Sequence, residues 1–221
     1  MIALLWDLDG TLLLTGRAGL YAFEDAVREV TGKTMDFSEL KTAGMTDMGV
    51  AALVLREAGV EPTEELTERV LRVYERELPA SLPKRQGRVL DGVREVLDDL
   101  EGRDDVQSYL LTGNTPAGAK AKLEHYGLWE FFAGRDGAFC IEHGSRVEIA
   151  RRAVELTPGA DVRYVIGDTP ADIECGKAID ARTVAVAAGW HPAEELAEHE
   201  PWLLLERIPE PAEFKRLLGI S

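Results

Sequence analysis

Two aspartates one residue apart, Asp7 and Asp9, close the apolar run Ile2–Trp6, and Gly10-Thr11-Leu12 follows at once. Carboxylates so placed at a turn can share a hard cation and still leave an oxygen free to attack an electrophile. A lone pair of this kind is more often a solvated acidic turn, so the weight falls on what else the chain supplies. Leu110-Leu111-Thr112-Gly113-Asn114 ends a second apolar run with a hydroxyl and small backbone amides. His143-Gly144-Ser145-Arg146 opens a helical pattern, and Ser145 with Glu148 spells a capping box for a helix over Arg146–Leu156. Ile166-Gly167-Asp168-Thr169-Pro170-Ala171-Asp172 ends a third apolar run with two more carboxylates.

The elements that must position these residues follow from periodicity. Short apolar runs at Ile2–Trp6, Val106–Leu111, Arg163–Ile166 and Thr183–Ala187 read as buried parallel strands, with a weaker candidate at Ala138–Ile141. Between them Val93, Val96, Leu97 and Leu100 share one helical face, as do Val147, Ala150, Ala153 and Val154. Strand and helix in alternation predict an α/β fold, a Rossmann-like parallel sheet with right-handed crossovers. Ligands bind such sheets beyond the carboxyl ends of the strands, where Asp7, Thr112 and Asp168 all fall.

Residues 15–85 break the alternation. Ala18–Thr31, Thr46–Ala58 and Thr63–Leu78 read as helix after helix, with Leu66, Val70, Val73 and Tyr74 forming an apolar stripe. The chain therefore divides into a core of residues 1–14 and 86–221 and an all-helical insertion after strand one, residues 15–85, with Thr15–Gly19 as its hinge. Trp129, Phe131 and Phe132 form an aromatic cluster that suits either the core or a dimer surface.

With 221 residues, 45% of them hydrophobic, the chain can bury a sizeable core. Its net charge of -15 argues against a nucleic-acid surface, and any phosphate site must be made favourable locally. Cys140 and Cys175 fit no metal spacing and read as small packing residues of a reducing compartment. The first residues lack a secretory pattern, and no apolar run approaches a membrane span. A cytoplasmic protein acting on a small molecule, as monomer or homodimer, is expected.

In their order, the four segments resemble the motifs of the haloacid dehalogenase-like superfamily, and within it the phosphoglycolate phosphatase-like branch with a helical cap. The resemblance covers the whole chain and is most specific in the first and last motifs. It implies a Mg²⁺-dependent phosphomonoesterase of a small phosphorylated metabolite, phosphoglycolate-like or a sugar phosphate. Asp7 would be the nucleophile that forms an aspartyl-phosphate, and Asp9 would protonate the leaving alcohol and later activate water. Asp168 would complete the Mg²⁺ site with Asp7 and the carbonyl of Asp9, while Asp172 would bind a metal-bound water or hold a cationic residue in place. Gly10, Thr11, Gly113 and Asn114 would bind substrate, and Thr112 would donate its hydroxyl to a phosphoryl oxygen. The helix starting near Pro116 would point its positive end at the anion.

The third motif departs from the pattern. The family places Lys or Arg there, and counting back from Asp168 puts His143 in that slot with Gly144 where Pro is usual. Either His143 or Arg146 then supplies the cation. In the insertion, Gly44-Met45-Thr46-Asp47 resembles a family segment that faces the active site, although Thr46 as an N-cap accounts for the spacing equally well. Arg17 is either a substrate-binding residue at the hinge or an exposed loop arginine. A sugar-phosphate mutase, a 2-haloacid dehalogenase and a catalytically silent binding protein are the alternatives of the same fold.

Overall fold

The computed structural model describes residues 1–140 and 145–221. Strand β1 (Ile2–Trp6) leads into a two-residue strand β2 (Leu13–Leu14) and then into three helices, α1 (Ala18–Thr31), α2 (Asp47–Glu57) and α3 (Glu64–Ser81). The chain returns through β3 (Arg88–Val89), which pairs antiparallel with β2. There follow α4 (Val93–Leu100), β4 (Val106–Leu110), α5 (Pro116–His125), α6 (Arg146–Leu156), β5 (Val162–Gly167), α7 (Pro170–Ala178), β6 (Arg182–Val186), α8 (Ala193–Glu198), β7 (Leu203–Leu205) and α9 (Pro211–Leu218).

The sheet has five parallel strands in the order β4-β1-β5-β6-β7. β1 is an interior strand, and every residue in it is apolar, as burial on both faces demands. Its side chains alternate between two cores. Leu4 and Trp6 meet Val93, Val96 and Leu97 of α4 and Phe214 of α9, and Trp6 stacks on Phe214 with ring centroids 5.7 Å apart. Leu5 meets Ile149, Ala150 and Ala153 of α6 and Cys175 of α7, and that cluster runs on into the three inserted helices. There α1 packs along α3, and Phe23 stacks on Tyr74 at 4.0 Å.

β1 is also the switch point: the chain leaves it toward β4 on one side, and β5 pairs on the other. The carboxyl ends of β1, β4 and β5 therefore open on one crevice. Residues 15–85 hold α1, α2, α3 and a single 3₁₀ turn and contribute no strand.

Several sequence expectations shift. The strand foreseen at Ala138–Ile141 is reduced to one bridge, Leu111 to Ala138, among the described residues; Ile141 lies outside them. The β2–β3 pair and β7 lie beyond the sequence expectation, as do the short helices α8 and α9; two- and three-residue strands carry no periodicity to read. Phe131 and Phe132 are buried in the core, and Cys140 and Cys175 are free, buried thiols. Among the described residues no helix is long and apolar enough to cross a membrane.

Candidate active site

Asp7 follows β1 directly, and its main-chain N–H donates to the carbonyl of Ile166 on β5, 2.9 Å away. Asp168 follows β5 and is fully buried. Oxygens of Asp7, Asp168 and Asp172 lie within 4.8 Å of one another. Such crowding needs room: Gly10, at φ +91°, would drive any Cβ to within 2.2 Å of the Asp168 carboxylate. Thr11 donates its hydroxyl to Asp168 Oδ1 at 3.3 Å, and the N–H of Trp190, in the loop after β6, donates to Oδ2 at 3.0 Å.

Burial pushes the Asp168 carboxyl up to about 7, and the charge of Asp7 adds to the effect. Burial also raises Asp7; Arg146 opposes the rise, and Asp9 reinforces it. The guanidinium of Arg146, from the first turn of α6, places Nη1 3.4 Å from Asp7 Oδ1 and bonds Asp172 through Nη2. Both the helix and its arginine are held by the expected capping box of Ser145 and Glu148. Asp172 is itself the N3 residue of a capping box on α7, its Oδ2 accepting from the N–H and hydroxyl of Thr169 at 3.1 and 2.6 Å. Of the two cations weighed for this position, Arg146 faces Asp7, and His143 lies outside the described residues.

A second polar cluster surrounds Asp9. Lys122 Nζ donates to Asp9 Oδ2 at 2.6 Å and to Asn114 Oδ1 at 2.5 Å. Asn114 Nδ2 donates to the same Asp9 oxygen and to Thr112 Oγ1, both at 2.9 Å. Thr112 is fully buried, and its hydroxyl also bonds Asp7. The insertion completes this side. Asp47, the first residue of α2, donates its N–H to the carbonyl of Gly113 and accepts the N–H of Thr115 on Oδ2, each at 2.8 Å. Thr46 N-caps α2 by accepting from Gly49 N–H, so one segment serves both the readings weighed for it. Gly113 lies against the backbone of Met45 and Thr46.

The positive end of α5 thus meets an anion, but that anion is the carboxylate of Asp47 in the insertion. Burial raises the Asp47 carboxyl to about 6 although Lys122 opposes the rise, and the buried Tyr74 hydroxyl bonds it. For Lys122, burial favours the neutral amine, but Asp9 and Asp47 outweigh it and hold the group above the ordinary lysine value.

The structure brings Asp7, Asp9, Gly10, Thr11, Thr112, Gly113, Asn114, Arg146, Asp168 and Asp172 to one crevice. Arg17 instead braces the insertion, donating to the carbonyl of Leu40 at 3.0 Å. His191 and His199 pair with Glu195 and Glu174 at the surface. Sequence reasoning missed Lys122. The available signal was a lysine on the buried stripe Ala119-Lys122-Leu123 of α5, where an unpaired ammonium does not survive.

Residues 4–177 match the family described as haloacid dehalogenase-like hydrolase. The chain belongs to the haloacid dehalogenase-like hydrolases. A second description of such hydrolases matches residues 146–211. The probable phosphatase IndB of Dickeya dadantii is 29% identical to this hydrolase over 213 residues, covering 93% of this chain and 90% of that protein. Among solved structures, a HAD hydrolase of family IA, variant 3, from Entamoeba histolytica superposes with a TM-score of 0.76 at 18% identity, over 99% of this chain and 100% of its own. A predicted phosphoglycolate phosphatase from Haemophilus somnus superposes with a TM-score of 0.72 at 16% identity, over 100% and 97%. These two likenesses establish the fold of the hydrolase.

Proposed function

We propose that this hydrolase is a Mg²⁺-dependent phosphomonoesterase of the cytoplasm, working as monomer or homodimer on a small phosphorylated metabolite such as phosphoglycolate or a sugar phosphate. One observation carries the reading: three buried carboxylates, Asp7, Asp168 and Asp172, crowd together, and among the described residues only Arg146 offsets them. Two negative charges are left over, matching a dication, and the donors are the hard oxygens Mg²⁺ prefers. Asp7, Asp168 and the main-chain carbonyl of Asp9 would hold the ion, which when bound would neutralise phosphoryl oxygens that otherwise repel the nucleophile. Asp172, with its oxygens taken by Thr169 and Arg146, anchors the guanidinium beside it.

The chain's own groups then perform a double displacement. An Asp7 oxygen attacks phosphorus while Asp9 gives a proton to the departing alkoxide. Water next attacks the phosphorus of the aspartyl-phosphate, Asp9 takes its proton, and inorganic phosphate leaves. Arg146 balances charge between Asp7 and the phosphoryl group, and Thr112 with the amides of Gly113 and Asn114 cradles its oxygens. Residues 15–85 act as a cap whose Met45–Asp47 segment meets the core at Gly113; its closure excludes bulk water, and the cap selects the leaving group. The relationship to a probable phosphatase supports the reaction class.

Phosphate release from a panel of small phosphomonoesters, with Mg²⁺ and with chelator, tests the proposal. Chelator-sensitive turnover of at least one ester is expected. Well-folded protein that turns over none, or whose turnover ignores the chelator, would overturn it.

A further inference from the structure

Lys122 is a buried ammonium, 4% exposed, outside every motif that identified the site. Burying it costs several kcal/mol unless its donors are well placed, so its partners reveal what holds it there. They are Asp9 Oδ2 and Asn114 Oδ1. The amide of Asn114 cannot be turned over, because Oδ1 faces the ammonium and Nδ2 faces the Asp9 carboxylate. Asp9 Oδ2 therefore accepts two protein donors, one of them charged. Among the described residues no protein donor reaches Oδ1 of the same carboxyl.

We propose that Lys122 is a positioning residue for proton transfer: with Asn114 it occupies Asp9 Oδ2, fixing the carboxyl so that only Oδ1 exchanges protons with the leaving oxygen and the incoming water. The inference rests on the reading of Asp9 as the proton carrier given above. In the first step the bond from phosphorus to the leaving oxygen breaks as Asp7 attacks, and the proton on Asp9 Oδ1 passes to that oxygen. In the second, water's proton returns to Oδ1 and the bond from Asp7 to phosphorus breaks. The ammonium keeps its protons throughout. Its work is to remove a rotation and a choice of oxygen, which is how a fixed donor contributes to general acid catalysis.

A structural role and a positioning role differ in how the defect depends on the leaving group. Phenyl phosphate releases a phenolate that binds a proton with a pKa of about 10, as tyrosine does, and so needs an acid. Dinitrophenolate from 2,4-dinitrophenyl phosphate departs unaided. The measurement is the first-turnover release of each phenol, with kcat and KM, for the Mg²⁺-loaded wild type, Lys122→Met, Lys122→Gln and Asp9→Asn. Lys122→Gln keeps a donor and gives a second folded variant should the methionine leave Asp9 and Asp47 too poorly balanced to fold.

Lys122→Met is expected to slow first-turnover release from phenyl phosphate by roughly 10²-fold or more, the size general acid catalysis supplies, with Lys122→Gln intermediate. The dinitrophenyl ester should keep its first turnover within about threefold, and KM should barely move for either ester, since the phosphoryl contacts are intact. Its steady-state rate should fall, because Asp9 must still activate water. Asp9→Asn should show the same split. If Asp9→Asn shows it and the Lys122 variants lose both esters equally, or neither, the proposal for Lys122 fails alone. If Asp9→Asn shows no split, the assignment of Asp9 fails and takes the proposal with it.

Discussion

Two acidic clusters flank the same crevice and meet the same electrostatic problem with different partners. Among the described residues, Asp7, Asp168 and Asp172 share a single guanidinium, that of Arg146, and burial, with their mutual repulsion adding to it, raises the carboxyls of Asp7 and Asp168. Asp9 and Asp47 instead share the charge of Lys122: Asn114 and Lys122 take one oxygen of Asp9, while the N–H of Thr115 and the Tyr74 hydroxyl bond Asp47. The first cluster is drawn from the ends of β1 and β5 and the first turn of α7, and it is the one proposed to take the ion. The second spans core and insertion, with Asp47 docked on Thr115. The carboxylate that docks the insertion on the core finds its partners within the protein, whereas the three carboxylates around Arg146 outnumber the cation the described residues supply.

The sharpest way to break the contrast is to remove the group that acts in the first cluster. Asp7→Asn keeps the shape and relieves the charge crowding, so the fold should be retained or stabilised while phosphate release falls on the order of 10⁴-fold or more, as when a covalent nucleophile is lost. Activity within tenfold of wild type, measured after exhaustive purification, would end the assignment. Arg146→Met comes next. It strips from three carboxylates the only cation that the described residues supply and should cost about 3–5 kcal/mol in chemical denaturation without metal. Added Mg²⁺ should return more of that loss than it adds to the wild type. A variant as stable as wild type in chelator would show that Arg146 is a solvated helix-start residue.

How much of this was legible beforehand follows from where the information lies along the chain. Asp7, Thr112 and Asp168 could be read because each is the first polar residue after an apolar strand, a local pattern that topology turns into one site. Ser145 and Glu148 marked the start of α6 and with it Arg146. Lys122 was hard to read because its partner Asp9 stands 113 residues away, and its one local signal, a place on the buried stripe of α5, names no partner. The docking of Asp47 on Thr115 was likewise out of reach: Thr46 explained that turn as an N-cap, and the contact across 68 residues exists only in the folded chain. The pairing of Leu13–Leu14 with Arg88–Val89, which closes the base of the insertion, is set by tertiary structure over residues too few to have a period.

The second cluster is tested through Asp47, whose carboxyl rises from 3.8 to about 6 on folding. A raised carboxyl favours the fold while protonated, so its contribution is present below about pH 4 and is lost as pH rises through 6. Asp47→Asn keeps an oxygen to accept the Thr115 N–H and cannot ionise. The stability of the variant relative to wild type should therefore climb by about 3 kcal/mol between pH 4 and pH 7, read from urea midpoints across that range. Parallel curves for the two proteins would mean that Lys122 already compensates Asp47 fully and that the second cluster carries no strain at all.

The smallest effect is the one that sets the two clusters apart most directly. Mg²⁺ at a hundred times its dissociation constant should stabilise the protein by about 2.7 kcal/mol. Because Asp168 holds its proton up to about pH 7 without a cation, the ion must displace that proton at lower pH. The thermal shift on adding Mg²⁺ should accordingly be large at pH 8 and shrink toward pH 5.5. Asp47→Asn should leave that dependence unchanged, since its carboxylate is not among the proposed ligands of the ion, and Asp168→Asn should abolish it. A Mg²⁺ shift that followed Asp47 instead of Asp168 would move the cation to the seam between core and insertion and reverse the comparison.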